Sequence, residues 1–248
     1  MSHLILVRHG QSKWNLENRF TGWVDVDLAP KGKLEACKSG ELIKEQKLKI
    51  DYFFTSYQIR AINTLKLILN TLRIEDIQTI KAWQLNERHY GALTGLNKDE
   101  MKKKLGEKKI HEFRRSFNTK PEPLNKNSPY HPLNIDIYKT LPKENIPDTE
   151  SLKDTYDRVV NYFTENIEKK IFEDKNILVS AHGNSIRAIV MDVLKYNSKQ
   201  ILKTEIGWCE PWILSFNNNI LFDIQILSRS NEPSKSNLPF KPQLNKIL

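Results

Sequence analysis

Two histidines, 173 residues apart, stand in matching settings: Ile5-Leu6-Val7-Arg8-His9-Gly10-Gln11-Ser12 near the start and Ile177-Leu178-Val179-Ser180-Ala181-His182-Gly183-Asn184-Ser185 far along the chain. Each is an apolar run, then His-Gly, then an amide residue and serine. An imidazole is a nucleophile near neutral pH, the guanidinium of Arg8 binds phosphate oxygens in a fork, and a glycine lets backbone N–H groups come close to an anion. One such His-Gly pair is an ordinary polar turn at a strand end. Two of them, each after a buried run, point to a shared anionic site. Metal ligation is the other use of paired histidines, but neither His9 nor His182 has a second His, Cys or carboxylate at ligand spacing, and His89 near Glu87 is too thin a signal for zinc. A serine hydrolase elbow, Gly-x-Ser-x-Gly, does not occur. The nucleophile is therefore read as histidine itself.

The elements that must position these groups are strands ending in polar residues. Leu4–Val7 is a short continuous apolar run, the pattern of a strand buried on both faces of a parallel sheet. A helical pattern from Lys31 to about Lys47, an apolar run at Asp51–Thr55 and a helical pattern from about Gln58 to Leu72 follow, and Asn176–Ala181 repeats the buried strand before a helix reaching Lys195. This alternation predicts an α/β three-layer sandwich with a mostly parallel central sheet flanked by helices. Ligand crevices in such sheets lie at the carboxyl ends of the strands, which would bring His9 and His182 together. Asn97–Phe117 reads as one basic helix, and residues 118–150 hold six of the eleven prolines, so about 97–150 reads as an inserted helical and irregular segment over the site. Glu150–Ile171 returns to a helical period, and Trp212–Phe216 with Ile220–Leu227 reads as a hairpin turning at Asn217-Asn218-Asn219. Residues 1–228 thus read as a single α/β domain and 229–248 as a flexible tail.

The 248 residues carry 39 Lys plus Arg against 30 Asp plus Glu, a formal charge of +9. That favours anionic partners without choosing among metabolites, nucleic acid and membrane. Two cysteines, Cys37 and Cys209, make no disulfide framework, and a reducing cytoplasm is expected. Met1–Val7 lacks a basic n-region and its apolar run stops at Arg8, so neither a signal peptide nor a membrane span is expected. Mean hydropathy is −0.56. No nucleic-acid motif is present, and a nucleic-acid binder would leave both histidines and the acidic Glu87 unexplained.

Leu6-Val7-Arg8-His9-Gly10-Gln11-Ser12-Lys13-Trp14-Asn15, continued by Glu17-Asn18-Arg19-Phe20-Thr21-Gly22-Trp23, resembles the histidine phosphatase superfamily and, within it, the 2,3-bisphosphoglycerate-dependent phosphoglycerate mutases. The resemblance extends through Arg60-Ala61, Leu85-Asn86-Glu87-Arg88-His89-Tyr90-Gly91-Ala92-Leu93, Gly95-Leu96-Asn97-Lys98, Arg114-Arg115, Glu150-Ser151-Leu152 and Ala181-His182-Gly183-Asn184-Ser185, roughly residues 4 to 194. It departs from the family pattern at Gln11, Asn63 and Trp208-Cys209-Glu210, and none of these removes an expected catalytic group.

The resemblance implies interconversion of 3-phosphoglycerate and 2-phosphoglycerate, with 2,3-bisphosphoglycerate as the cofactor that primes a phosphohistidine at His9 and with no metal. It implies that Arg8, Arg60 and His182 surround the phosphoryl group and that Glu87 is the general acid and base, its pKa raised by nearby phosphate. It further implies that Asn15, Thr21, Gly22, Arg88, His89, Tyr90, Lys98, Arg114, Arg115, Gly183 and Asn184 bind substrate. The implied partners are small phosphorylated metabolites, with no nucleic acid and no membrane, and a homo-oligomer is left open. A phosphatase of the same superfamily, acting on small phosphorylated metabolites, is the rival; it differs in passing the phosphoryl group to water.

Overall fold

The structure is a computed structural model and describes residues 1–228, 233–242 and 244. In chain order the regular elements are β1 (Ser2–Arg8), α1 (Lys13–Leu16), α2 (Pro30–Glu45), β2 (Tyr52–Thr55), α3 (Ile59–Leu72), β3 (Ile80–Lys81), α4 (Lys98–Leu105), α5 (Glu107–Arg115), α6 (Leu152–Phe163), α7 (Lys169–Phe172), β4 (Ile177–Ala181), α8 (Gly183–Val193), α9 (Ser198–Leu202), β5 (Trp212–Asn217) and β6 (Ile220–Ile226). The six strands form one sheet in the order β3-β2-β4-β1-β5-β6. Three pairings are parallel (β1 with β4, β2 with β4, β2 with β3), and the hairpin adds two antiparallel ones through β5. The α/β sandwich expected from the alternation is what forms, with a mixed rather than purely parallel sheet.

Alternation along each strand sends side chains to two separate cores. Leu4 and Leu6 of β1, with Phe54, Ile177 and Val179, face the layer of α6 and α8, whereas Ile5 and Val7, with Phe53 and Leu178, face α2 and α3. A strand apolar on both faces is what two helical layers require. Pro30 opens α2 at a position where its missing N–H costs nothing. Ser151 caps α6 by accepting from the Asp154 N–H while the Asp154 carboxylate accepts from the Ser151 N–H.

Two segments depart from the sequence reading. The basic stretch expected as one helix is broken at Gly106, whose φ of +89° ends α4 and starts α5. The helix expected over 150–171 passes through a wide π-turn at Thr164–Glu168 into α7. Of the stretch read as a flexible tail, residues 229–232, 243 and 245–248 lie outside the described residues. Residues 233–242 lie against the body: Lys235 and Ser236 donate their N–H groups to the Glu210 carboxylate at 2.7 and 2.8 Å, and Tyr196 donates its hydroxyl to the Phe240 carbonyl. The inserted segment is anchored by Tyr138, fully buried, whose hydroxyl donates to the Trp23 carbonyl at 2.7 Å. Among the described residues no helix is long and apolar enough to cross a membrane.

Candidate active site

β1 and β4 run side by side in parallel with Arg8 opposite Ala181, and the ladder continues one residue further as the His9 N–H donates to the Ala181 carbonyl at 2.9 Å. The next residue of each strand is its histidine. The two rings therefore meet at 5.0 Å between centroids, edge on face at 62°. Gly10 lies against Gly32 of α2, where an added Cβ would collide with the Gly32 carbonyl, so the turn after His9 needs glycine for close approach.

A hydrogen bond decides the tautomer of His9. His9 Nδ1 stands 2.7 Å from the Gly10 carbonyl, which can only accept, so Nδ1 carries the proton and the Nε2 lone pair is free. Burial and then the charges of Arg60 and Arg8 hold its pKa well below the ordinary histidine value, which keeps the nucleophilic neutral form. His182 Nε2 lies 2.7 Å from the Ser56 hydroxyl. With Ser56 donating, His182 carries its proton on Nδ1, a buried atom with no partner among the described residues. That N–H is an unused donor beside His9.

Arg60, on the first turn of α3, is buried and donates to the carbonyls of Val24 and Gly22 at 2.9 and 2.8 Å. Arg8 donates through Nη1 to the Ile206 carbonyl, lies over the Trp208 ring at 5.3 Å, and leaves its buried Nε without a partner. Glu87 gathers three bonds on one oxygen: Oε1 accepts from the Arg88 N–H at 2.8 Å, the Asn184 amide Nδ2 at 2.9 Å and the Asn184 N–H at 3.2 Å. Burial works to raise its pKa, yet these bonds together with Arg8 and Arg60 bring it below the ordinary carboxyl value. The sequence expectation was a raised value, and the reason for the difference is that it invoked phosphate charge, which is not in this balance. Loading both donors of Asn184 and the Arg88 N–H onto Oε1 leaves Oε2 to exchange a proton.

A cavity of about 320 Å³ connects these groups. Its wall includes Arg8, His9, Arg60 and Glu87, and of the expected substrate-binding set Asn15, Thr21, Gly22, Tyr90, Lys98, Arg114, Arg115, Gly183 and Asn184. His182 stands behind His9 and is fully buried. Arg88 and His89 do not line the wall. The Arg88 guanidinium lies behind Tyr90, 4.7 Å from that ring, and bonds the Phe113 carbonyl; His89 is buried near His131, 6.3 Å between rings. Arg88 thus ties the motif to α5, and His89 Nδ1 accepts from the Gly91 N–H within the motif at 3.0 Å.

Sequence reasoning missed three wall residues of consequence, Arg19, Arg187 and Glu205, and gave no role to Trp208 beyond a departure from pattern. Arg187 had a readable signal, since it stands four residues after Gly183 and so shares its helix face. Arg158 on α6 was also missed. Its guanidinium pairs with the Glu150 carboxylate at 2.6 and 3.0 Å and donates to the carbonyls of Gln84, Asn86 and Glu87, while Glu150 accepts from the His89 N–H at 2.7 Å. The pair braces the segment that carries Glu87. Among the described residues no group of three or more His, Cys, Asp or Glu side chains is placed to hold a metal ion.

The chain matches the model of the histidine phosphatase superfamily (branch 1) over residues 4–131 and 129–221. It is 65% identical over 218 residues to a 2,3-bisphosphoglycerate-dependent phosphoglycerate mutase of Pelagibacter ubique (strain HTCC1062), covering 88% of this chain and 91% of that protein. It is 47% identical over 217 residues to a protein of the same name from Hamiltonella defensa, covering 88% and 87%. Among solved structures, a mycobacterial hydrolase shares the fold at a TM-score of 0.68 and 17% identity over 91% of this chain and 97% of that one. A mycobacterial glucosyl-3-phosphoglycerate phosphatase solved with VO3 does so at 0.65 and 19% over 90% and 96%. The chain belongs to the histidine phosphatase superfamily and, within it, to the 2,3-bisphosphoglycerate-dependent phosphoglycerate mutases.

Proposed function

We propose that the protein interconverts 3-phosphoglycerate and 2-phosphoglycerate, with His9 carrying the phosphoryl group between the two oxygens. The observation that carries this reading is a neutral His9 with a free Nε2, sharing one cationic cavity with Glu87. The cavity suits a ligand with two phosphates and a carboxylate: Arg8 Nε and His182 Nδ1 are buried donors awaiting acceptors, and seven cationic side chains line the wall. When bound, 2,3-bisphosphoglycerate supplies the phosphoryl group that primes His9.

His9 Nε2 forms a bond to phosphorus as the bond from phosphorus to the departing oxygen breaks. Arg8, Arg60 and the His182 N–H neutralise the oxygens that carry charge during the transfer, a role in which positioning and electrostatics supply most of the acceleration. In the forward direction Glu87 takes the proton from the accepting 2-hydroxyl as that oxygen bonds phosphorus and the bond to His9 breaks. It returns the proton to the 3-oxygen when His9 reclaims the other phosphoryl group. A carboxylate prepared below its ordinary pKa starts as the base, and phosphate charge arriving next to it favours the protonated form needed for the return. Asn15, Thr21, Gly22, Tyr90, Lys98, Arg114, Arg115, Gly183 and Asn184 hold the phosphate and carboxylate groups, while Arg88 bonds the Phe113 carbonyl of α5 and His89 accepts from the Gly91 N–H.

The reading places the protein in the phosphoglycerate step of glycolysis and gluconeogenesis, working on small phosphorylated metabolites in the cytoplasm, without a metal. It is tested by an enolase-coupled assay on 3-phosphoglycerate, with and without 2,3-bisphosphoglycerate and with EDTA, recording inorganic phosphate in parallel. We expect 2-phosphoglycerate formation stimulated by the bisphosphate and indifferent to EDTA. Release of inorganic phosphate as fast as 2-phosphoglycerate appears would replace this reading with the phosphatase one, and chelator-sensitive turnover would overturn the metal-free mechanism.

A further inference from the structure

Two carboxylates line the cavity, Glu87 and Glu205, against its seven cationic side chains. Glu205 has no part in the phosphoryl transfer described above. Its oxygens are divided between two elements: Oε1 pairs with Arg115 Nη2 at 2.5 Å, at the end of α5 in the inserted segment, and Oε2 with Arg187 Nη2 at 2.8 Å, on α8. The carboxylate thus occupies the space where the two arginines converge, as an anionic group of a ligand would.

We propose that Glu205 is an internal counter-anion that competes with the ligand's second phosphate for Arg115 and Arg187, and so sets how strongly the pocket prefers a bisphosphate over a ligand with one phosphoryl group. This rests on the phosphoglycerate reading of the cavity. Arg187 stays in place whichever anion it meets, because its Nε donates to the Thr204 carbonyl at 2.9 Å and its side chain is 9% exposed. The Glu205 side chain is 38% exposed and is free to turn toward water, whereas its backbone is pinned: its N–H donates to Asn237 Oδ1 at 2.9 Å and its carbonyl accepts from the Asn237 N–H at 3.0 Å. The carboxylate, not the loop, is the part that yields.

A phosphate arriving at Arg115 and Arg187 exchanges one charge-assisted pair for another, so the affinity gained is a difference and not the full value of two arginine contacts. Burial, and then the Arg115 charge, hold the Arg187 pKa down to about 10, the mark of cations crowded together with one carboxylate among them. Without that carboxylate the same arginines would greet a bisphosphate with no competitor. Only a ligand with a second phosphate meets this competition, so Glu205 limits how long the bisphosphate is retained and leaves a single phosphoryl group at His9 unaffected.

Calorimetric titration of the full chain tests this. 2,3-Bisphosphoglycerate is titrated into His9→Ala protein with and without Glu205→Gln, and orthovanadate, which seeks His9, into protein with His9 intact, again with and without Glu205→Gln. We expect Glu205→Gln to tighten bisphosphoglycerate about tenfold while orthovanadate moves less than twofold. Bisphosphoglycerate binding that is unchanged, weakened or absent in both proteins overturns the proposal. Weakening of both ligands together would identify Glu205 as a structural tether. Glu205→Ala, which also removes the hydrogen bonds that Gln keeps, guards against a folding artefact and must move the ratio the same way. Failure of the phosphoglycerate reading would show separately, as wild-type protein forming no 2-phosphoglycerate.

Discussion

His9 and His182 follow directly from two paired strands, and their backbones stand at the end of a hydrogen-bonded ladder. Arg114 and Arg115, also on the cavity wall, end a nine-residue helix that a partly exposed ion pair ties to Glu205 and a bond from Arg88 to the Phe113 carbonyl ties to the Glu87 segment. The cradle around His9 is fixed by main-chain bonds and burial, whereas the cover relies in larger part on side chains. Phosphoryl transfer needs reacting atoms held to fractions of an ångström, while ligand exchange needs groups that can let go. The molecule divides the two demands between sheet and insertion.

The sharpest way to break this division is to remove the nucleophile. His9→Ala should abolish an acid-labile phosphoryl adduct after incubation with 2,3-bisphosphoglycerate and cut turnover by on the order of 10⁴-fold or more. An undiminished adduct would move the chemistry elsewhere. Next comes the brace: Arg158→Lys keeps a charge but loses the fork that holds the carbonyls of Gln84, Asn86 and Glu87. We expect kcat to fall about a hundredfold with KM within twofold, since displacing Glu87 by about 1 Å spoils proton transfer and not binding. An equal change in KM would place Arg158 with the cover.

Arg115→Ala probes the cover itself. Losing one charge-assisted arginine contact costs on the order of 2 kcal/mol, roughly thirtyfold in mutase turnover, and inorganic phosphate released per turnover should rise. A fall in both by the same factor would mean that Arg115 serves the cradle. The last test is of stability, which is read on a separate scale from turnover. His9 and His182, held well below the ordinary pKa, and His89, lowered to about 3 by burial and then by His131, stay neutral in the fold when acidified. The unfolded chain takes up protons on the same residues below about pH 6.5, so stability falls with pH from there, by up to about 1.4 kcal/mol per unit for each group. Urea midpoints at pH 7.5 and 5.5 should differ in that direction, whereas raising salt at constant pH should loosen the Arg115–Glu205 pair and leave the cradle unchanged.

This division also explains what was legible in the sequence. The cradle could be read because its parts are local: an apolar run predicts a buried strand, and the residue after it must stand at the strand's carboxyl end. His9, His182, Arg8 and Asn184 follow from that rule together with the resemblance. Arg158 could not be read because its partners are mostly backbone carbonyls, which every residue type shares. Glu205 was hidden because its relation to Arg115 and Arg187 exists only after α5, α8 and the segment before β5 converge. β3, two residues long, shows no period at all, and Gly106 within a lysine-rich stretch gave too weak a signal to divide α4 from α5.

The position of β1 in the sheet has a consequence for synthesis. β1 is made before every other strand of this sheet, yet its neighbours are β4 and β5, which end at residues 181 and 217. At about 5–20 residues per second, roughly 10–40 s pass between the emergence of His9 and the completion of the strands that flank it. Throughout that interval Leu4–Val7 is an unpaired apolar edge, the kind of segment that invites aggregation. A chain cut short before β4 therefore carries the nucleophile but neither its ladder nor His182, and a working cavity can form only after β5 has been made.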